Sequence, residues 1–311
     1  MAIILGENRY GKAEIRVFRV TRSGDTHEVL DLNVTVLLSG DFSATHLTGD
    51  NTQVLTTDAM KNTVFVFSHE YGAMEPEAFG LLLARHFVAT QSHVLKAEVR
   101  IEKFDWDRII SKGKPHPSAF RRNGSMTRTA TALVCRDGAQ TKDFIVCGLD
   151  DLVILKTSKS EFGGFLRDKY TTLAQTTDRI MATEVCARWR ISASESLRFD
   201  RTDWAKNFRD TVDTMLGAFA EHHSLSLQQT LFLMGERVLS NQPEIAAIRL
   251  SLPNKHHFAV DLSAFDRENH NEVFIAADRP YGLIEAVIER DDAKTASASS
   301  APAPAHTWPA W

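Results

Sequence analysis

The sequence LDLNVTVLL at residues 30–38 places an apolar side chain at every second position, namely Leu30, Leu32, Val34, Val36 and Leu38. A period of two residues is typical of a β-strand with one buried face. Residues 12–22 (KAEIRVFRVTR) alternate in the same way, and the Ser23-Gly24-Asp25 sequence that follows them is typical of a turn. The two segments therefore predict a long antiparallel hairpin.

Two helices are predicted after this hairpin. The first begins near Asp58, where the hydroxyl of Thr56 or Thr57 can cap the free amides of the first turn. The second begins near Glu75, which is followed by a proline, a residue favoured in the first turn. Strand alternation then returns at residues 97–101 and 128–134.

The second half of the chain repeats this order. Apolar strands are predicted at residues 144–147, 153–155 and 185–191, and a helical period follows over residues 208–219. A further helix opens at Ser226, where Gln229 three residues on forms the pattern of a capping box. The last strands are predicted at residues 245–251, 258–262, 273–276 and 284–288. The regular βαβ alternation of a parallel sheet is not found.

This order predicts an α+β fold built from two tandem modules. We place the modules at residues 1–138 and 139–292, each an antiparallel sheet with paired helices on one face. The opposite face of such a sheet needs a cover, and oligomerisation is the expected way to supply it. Residues 293–311 are rich in Ala, Ser and Pro and are predicted to form a flexible tail.

Composition limits the function classes. The apolar fraction of 43% and charged fraction of 24% are those of a soluble globular protein. A net charge of −4 argues against nucleic acid or an anionic membrane as the main partner. No apolar run is long enough for a membrane span or a secretory signal, and the chain does not end in S-K-L. The three widely spaced cysteines (Cys135, Cys147 and Cys186) indicate reduced thiols, so a cytoplasmic protein is predicted.

The common cofactor motifs are absent from the sequence. It contains no G-x-G-x-x-G, P-loop, H-E-x-x-H or G-x-S-x-G pattern. The histidine pairs at 222/223 and 256/257 are adjacent, and neighbouring strand residues point to opposite faces, so they are poor joint metal ligands. No metal, flavin or nucleotide cofactor is predicted.

Residues 251–258 (SLPNKHHF) place polar side chains between two apolar strand patterns. One interpretation is a polar loop with two ordinary histidines, and for this stretch alone it is the simpler one. The other is a functional site, because polar groups close to a core are costly unless they have partners.

Six motifs together are similar to those of the urate oxidase (uricase) family. They lie at residues 10–12 (YGK), 56–63 (TTDAMKNT), 162–173 (FGGFLRDKYTTL), 177–180 (TDRI), 251–256 (SLPNKH) and 278–282 (DRPYG). The resemblance implies the tunnelling fold (T-fold), with four chains in a barrel-like homotetramer and active sites between subunits. It also implies that urate is oxidised by O2 to 5-hydroxyisourate and hydrogen peroxide in purine degradation, with no cofactor.

The resemblance further implies a proton relay made of Lys12, Thr57 and His256, with Thr57 supplied by a neighbouring subunit. A threonine hydroxyl alone is a poor base, so the chemistry requires the lysine beside it. The alternative interpretations are that Lys12 is an exposed strand lysine and that Thr57 is only a helix cap.

The same resemblance implies a set of urate-binding groups. They are the side chains of Thr57, Phe162, Arg179, Gln228 and Asn254, with the backbone amides of Asp58 and of Leu227 or Gln228. Arg179 and Gln228 would clamp the planar anion through a guanidinium fork and an amide. Phe162 would stack on the purine, while Asn254 and Thr57 would hold oxygen or water above it. The alternatives are a surface ion pair for Arg179, a solvated Gln228 and a core Phe162.

Two other functions remain open at this point. One is a different T-fold enzyme acting on purines or pterins, whose zinc-dependent members need clustered His and Cys ligands. The other is a non-catalytic purine-binding scaffold that keeps Arg179 and Gln228. Loss of the near-ultraviolet absorbance of urate on mixing would distinguish an enzyme from a scaffold.

Overall fold

A computed structural model describes residues 2–192 and 201–291 of the chain. The predicted tail at residues 293–311 lies outside the described residues. The chain divides into two compact units. Of the described residues, the first unit contains 2–148, 190–192 and 201–207, and the second contains 149–189 and 208–291. The boundary predicted between residues 138 and 139 stays a prediction.

The first unit is built on antiparallel strands and helices. Its strands are β1 (Tyr10–Ser23), β2 (Thr26–Gly40), β3 (Val94–Phe104), β4 (Trp106–Ser111), β5 (Lys114–Arg122) and β6 (Thr127–Asp137). Its helices are α1 (Ser43–Thr48), α2 (Thr57–Glu70) and α3 (Pro76–Thr90). Strands β1, β2, β3 and β6 pair antiparallel in that order, and β4 pairs with β5 in a separate hairpin. The predicted opening hairpin is confirmed.

Strand β7 (Gln140–Lys156) begins in the first unit and ends in the second. The elements that follow it are β8 (Met181–Ile191), α4 (Trp204–Glu221), α5 (Leu227–Asn241), β9 (Ile245–Ala259) and β10 (Phe274–Glu289). The strands are hydrogen-bonded in the order β7-β8-β9-β10, and β9 and β10 are antiparallel. Among residues 2–192 and 201–291, no helix combines the length and the apolar character needed to cross a bilayer.

The predicted apolar faces form the cores. Alternate residues of β2 are fully buried, namely Leu32, Val34, Val36 and Leu38. The predicted apolar stripe of α5 is also buried, namely Leu227, Leu231, Met234 and Val238. Helix α3 packs on β3 and β6, and α5 packs on β9 and β10. Burial of these stripes is what holds each helix against its sheet.

In both modules an arginine binds carbonyl groups at the end of the second long helix, which is α3 in the first module and α5 in the second. Arg136 donates to the carbonyl oxygens of Val88, Gln91 and Val94 at the end of α3. Arg290 donates to those of Leu239, Gln242 and Ile245 at the end of α5. In both sets the acceptors are three residues apart, and the arginine satisfies carbonyls that the helix end leaves free. The modules therefore share local backbone geometry as well as element order.

The predicted interruption at residues 253–257 is wrong. Strand β9 continues through this stretch, with Asn254 paired to Gly282 and His256 paired to Ala277. The irregularity lies instead on β10, where the register shifts between Ala277 and Gly282. The extra residues of β10 form a bulge, and β9 can therefore continue as a regular strand opposite it. The polar stretch is therefore fixed on a strand and is not a loop.

Candidate active site

Lys12 lies on β1 beside a bulge in the pairing with β2. The register shifts between Lys12 and Ile15, and Glu14 within the bulge has a positive φ of 58°. The Glu14 amide donates to the hydroxyl oxygen of Thr35 at 3.2 Å. Bulges change the direction of neighbouring side chains and often occur next to functional sites. Lys12 is half-buried at this position.

Gly11, next to Lys12, has no room for a side chain. A Cβ atom there would lie 1.8 Å from the carbonyl oxygen of Val36. We expect Gly11→Ala to displace β1 beside Lys12 and to lower the free energy of unfolding by about 1–3 kcal/mol. Urea unfolding at fixed protein concentration measures this loss. Gly6→Ala is the matched control, since nothing lies within 4 Å of its added Cβ. Equal stability of the two variants would contradict the prediction.

The start of helix α2 leaves the Thr57 hydroxyl available. Thr56 is the N-cap, and its hydroxyl oxygen accepts from the Ala59 amide at 3.1 Å. Thr57 is the first helical residue, and its hydroxyl forms no hydrogen bond within the described part of the chain. Of the two capping alternatives, the structure selects Thr56. Capping therefore does not account for the Thr57 side chain.

Lys12 and the start of α2 lie together in the first unit. Asp58 binds Lys61 at 2.5 Å, and this hydrogen bond and the charge of Lys61 are the main causes that lower the pKa of the Asp58 carboxyl. The positive charge of Lys12 lowers the same pKa further. The Tyr10 hydroxyl donates to the Leu55 carbonyl at 3.1 Å, which ties β1 to the segment before α2.

Phe162 and Arg179 form the centre of a site in the second unit. Phe162 exchanges two backbone hydrogen bonds with Thr176, of 2.9 and 3.0 Å, and the Arg179 amide donates to the Ser160 carbonyl at 2.9 Å. These bonds bring the Arg179 guanidinium over the aromatic ring, with Cζ 5.3 Å from the ring centroid. This is the distance of a cation–π contact.

Arg179 has unused hydrogen-bonding capacity. Its Nε is buried and has no hydrogen-bond partner among the described residues. Burial lowers the pKa of the guanidinium, but an arginine remains charged in proteins. An unsatisfied buried donor costs about 1–3 kcal/mol. Because the described part of the chain supplies no carboxylate partner, the ion-pair alternative is not found, and an anionic ligand would satisfy the group.

Asn254 and His256 lie two residues apart on β9 and therefore on one face of the sheet. Neither side chain forms a hydrogen bond within the described part of the chain. The His256 ring stacks on Phe258 with centroids 5.6 Å apart. Burial lowers the pKa of His256, and the charges of Arg179 and His257 lower it further. The imidazole is therefore neutral at pH 7 and keeps one nitrogen as an acceptor.

The start of α5 presents two free amides. The Ser226 hydroxyl accepts from the Gln229 amide at 3.1 Å, while the Gln229 side chain accepts from the Leu225 amide at 2.9 Å. The predicted capping interaction is confirmed, although the returning bond reaches Leu225 and not Ser226. The amides of Leu227 and Gln228 belong to the first turn and have no acceptor in the described residues. The Gln228 side chain is exposed and also has no partner there.

The structure divides the predicted site residues between the two units. Lys12, Thr57 and Asp58 belong to the first unit, and Phe162, Arg179, Leu227, Gln228, Asn254 and His256 belong to the second. Among residues 2–192 and 201–291, no three His, Cys, Asp or Glu side chains are grouped so that they could hold a metal ion.

The residues that hold the second-unit side chains in place were not predicted from the sequence. They include Ser160, Thr176 and Ser224, of which Ser160 and Ser224 are fully buried. The only signal was the position of Ser224 two residues before the helix cap. A serine before a helix is too common to indicate a functional role.

The chain is similar to known proteins over most of its length. Residues 8–132 and 145–285 match the family model of uricase. The uricase of Arthrobacter globiformis is 48% identical over 292 residues, which cover 94% of this chain and 92% of that protein. The uricase of Dictyostelium discoideum is 41% identical over 93% of this chain and 98% of its own length. The crystal structure of the Arthrobacter globiformis enzyme has a TM-score of 0.85 with this chain, covering 94% and 96% of the two chains.

The antiparallel sheets with paired helices and the fold match define a tunnelling-fold enzyme, as the sequence predicted. The chain belongs to the uricase family. The prediction of a urate-oxidising enzyme is therefore confirmed at the level of the family.

Proposed function

We propose that this enzyme oxidises urate with O2 to 5-hydroxyisourate and hydrogen peroxide, without a metal or organic cofactor, in purine degradation. The observation that carries the proposal is the Arg179 guanidinium, held 5.3 Å over the Phe162 ring with a buried Nε that has no partner in the described residues. A flat, negatively charged purine fits this combination of aromatic face and unused cationic donor.

The clamp and the proton relay have separate tasks. Arg179 and Gln228 bind the edges of urate, and the free amides at the start of α5 add donors for its carbonyl oxygens. His256 is neutral, and with Lys12 and Thr57 it relays the proton that urate loses when the dianion forms. Asn254 shares the face of His256, and its amide is available to hold O2 or water above the ring.

The balanced reaction explains why no cofactor is required. The urate dianion gives two electrons to O2, which leaves as hydrogen peroxide after taking up two protons. Water then adds to the oxidised ring and supplies the hydroxyl group of 5-hydroxyisourate. The protein's part is to bind urate, move its proton and keep O2 and water in one position.

We propose that two chains complete each site, within a homotetramer. Lys12 and Thr57 belong to the same unit, and the charge of Lys12 lowers the pKa of Asp58 next to Thr57, so a neighbouring subunit would supply Lys12 and Thr57 together. This differs from the sequence-based expectation, in which Thr57 alone came from the neighbour. The second unit of the other chain would supply Phe162, Arg179, Gln228 and His256.

Oxygen uptake in the presence of a strong chelator tests the proposed reaction. Metal-stripped enzyme should consume one O2 and release one hydrogen peroxide for each urate lost, at the rate of untreated enzyme. An unchanged urate absorbance would support a binding scaffold, and loss of activity on stripping would contradict cofactor independence.

The lowered pKa of His256 predicts how activity depends on acid pH. The ring must be neutral to accept a proton, so activity is lost as pH falls through its pKa, which lies below the ordinary value of 6.5. The acid limb of kcat/KM should therefore fall below pH 6.5, and His256→Gln should remove it. His270→Gln, at an exposed site, should leave the limb unchanged. If the acid limb of kcat/KM remained in His256→Gln, the group responsible for it would not be His256.

We also propose a cytoplasmic location. Cys135, Cys147 and Cys186 form no disulfide. Burial is the main cause that raises the pKa of the Cys186 thiol to about 12, and Cys147 is buried, so these thiols suit a reducing compartment. Recovery of activity in a secreted or organelle fraction after cell fractionation would contradict this location.

A further inference from the structure

Ser224 is hydrogen-bonded through its backbone to the segment that carries Phe162. Its amide donates to the Lys159 carbonyl at 2.9 Å, and its carbonyl accepts from the Glu161 amide at 2.8 Å. Between these two residues, the Ser160 carbonyl accepts from the Arg179 amide at 2.9 Å. The backbone of Ser224 is therefore attached to the segment that fixes both Phe162 and Arg179.

Whereas the backbone of Ser224 binds the segment with Phe162, its side-chain hydroxyl binds the start of helix α5. It donates to the Ser226 carbonyl at 3.0 Å and accepts from the Thr230 hydroxyl at 2.7 Å. Ser224 and Thr230 are both fully buried. Buried hydroxyls are costly unless bonded, so the pair has one favoured arrangement.

Helix capping does not explain these bonds. Ser226 and Gln229 already cap α5. The Thr230 hydroxyl lies beyond the first three helical residues, and it is closer to the Ser224 hydroxyl, at 2.7 Å, than to the Ser226 carbonyl, at 3.2 Å. The pair therefore links the helix start to the segment with Phe162 and Arg179, which the cap does not touch.

We infer that the Ser224–Thr230 hydroxyl pair is a positioning device that sets the separation of the two arms of the urate clamp. One arm is Phe162 with Arg179, and the other is the start of α5 with Gln228. The inference rests on the proposed function, because the clamp itself is assigned there. A flat ligand held at two edges binds well only when that separation matches its width.

Two substitutions of Thr230 separate positioning from packing. Thr230→Val keeps the shape and removes the hydroxyl, while Thr230→Ser keeps the hydroxyl and removes a methyl group. We expect Thr230→Val to raise the KM for urate about tenfold with kcat changed by less than about threefold. Thr230→Ser should stay close to the parent enzyme. An equal rise in KM for both variants, or no rise for either, would overturn the inference.

A double-mutant cycle that combines Ser224→Ala with Gln228→Ala tests whether Ser224 acts through the clamp. The cycle does not use Thr230→Val, so it remains informative if that variant folds poorly. Ser224→Ala removes the hydroxyl without adding atoms, and its KM effect should largely disappear when Gln228→Ala is already present. Effects of Ser224→Ala and Gln228→Ala that simply multiply would overturn the positioning role and leave the clamp intact. An unchanged KM in Gln228→Ala alone would overturn the clamp and the inference with it.

Discussion

Lys12→Met is expected to lower kcat by about 10²–10³-fold while the KM for urate changes less than about threefold. The Thr57 hydroxyl has no hydrogen-bond partner in the described residues, and an alcohol accepts a proton poorly without a basic neighbour. Methionine keeps the length of the side chain and removes the amine. Steady-state rates of urate loss at several urate concentrations give both constants.

The control for this variant is Lys114→Met on the β4–β5 hairpin, where the lysine is exposed. It should behave like the parent enzyme. A Lys12→Met enzyme with normal kcat and raised KM would show that Lys12 binds urate and relays no proton. Thr57→Ala should reproduce the Lys12→Met pattern, because the two groups act in series.

Arg179→Gln is expected to raise the dissociation constant for urate about 100-fold. Glutamine keeps hydrogen-bonding capacity but loses the charge and the two parallel donors of the guanidinium. The backbone bond from residue 179 to Ser160 remains, so the loop should keep its path. Equilibrium binding of urate under anaerobic conditions measures the loss without turnover.

Arg167→Gln is the matched control for this substitution. Arg167 is exposed, lies on the same segment as Phe162 and stands over the neighbouring Phe165 ring at 5.5 Å. Its loss should leave the affinity for urate unchanged, and Arg179→Lys should fall between the parent and Arg179→Gln because it keeps only the charge. Equal losses in the Arg167 and Arg179 variants would indicate a general effect of positive charge.

Strong periodicity made much of the fold predictable. The alternation at residues 30–38 and the apolar stripe of α5 appear in the structure as buried faces. Where the sequence is polar, the local pattern of side chains does not predict the secondary structure. Residues 253–257 were predicted to interrupt a strand because they are polar, yet pairing with β10 continues β9 through them. Such pairing depends on residues more than twenty positions away, which periodicity does not detect.

The site could be predicted only through resemblance to a family. In isolation Lys12, Arg179 and Gln228 are ordinary polar residues. The structure adds the position of Arg179 over the Phe162 ring, and the charges of Lys12 and Arg179 lower the pKa values of Asp58 and His256. It also shows the buried Ser224, whose role depends on hydrogen bonds to two segments and leaves no trace in composition or spacing.

Mixing two impaired variants, assayed at a urate concentration well below the dissociation constant of Arg179→Gln, tests most directly whether one site is built from two chains. Lys12→Met chains keep the clamp, and Arg179→Gln chains keep the relay lysine. In mixed assemblies, the intact first unit of one chain can meet the intact second unit of another. Random mixing should restore roughly a quarter of the parent activity. Activity no higher than the sum of the two separate variants, in assemblies that mass measurement shows to contain both chains, would contradict a shared site.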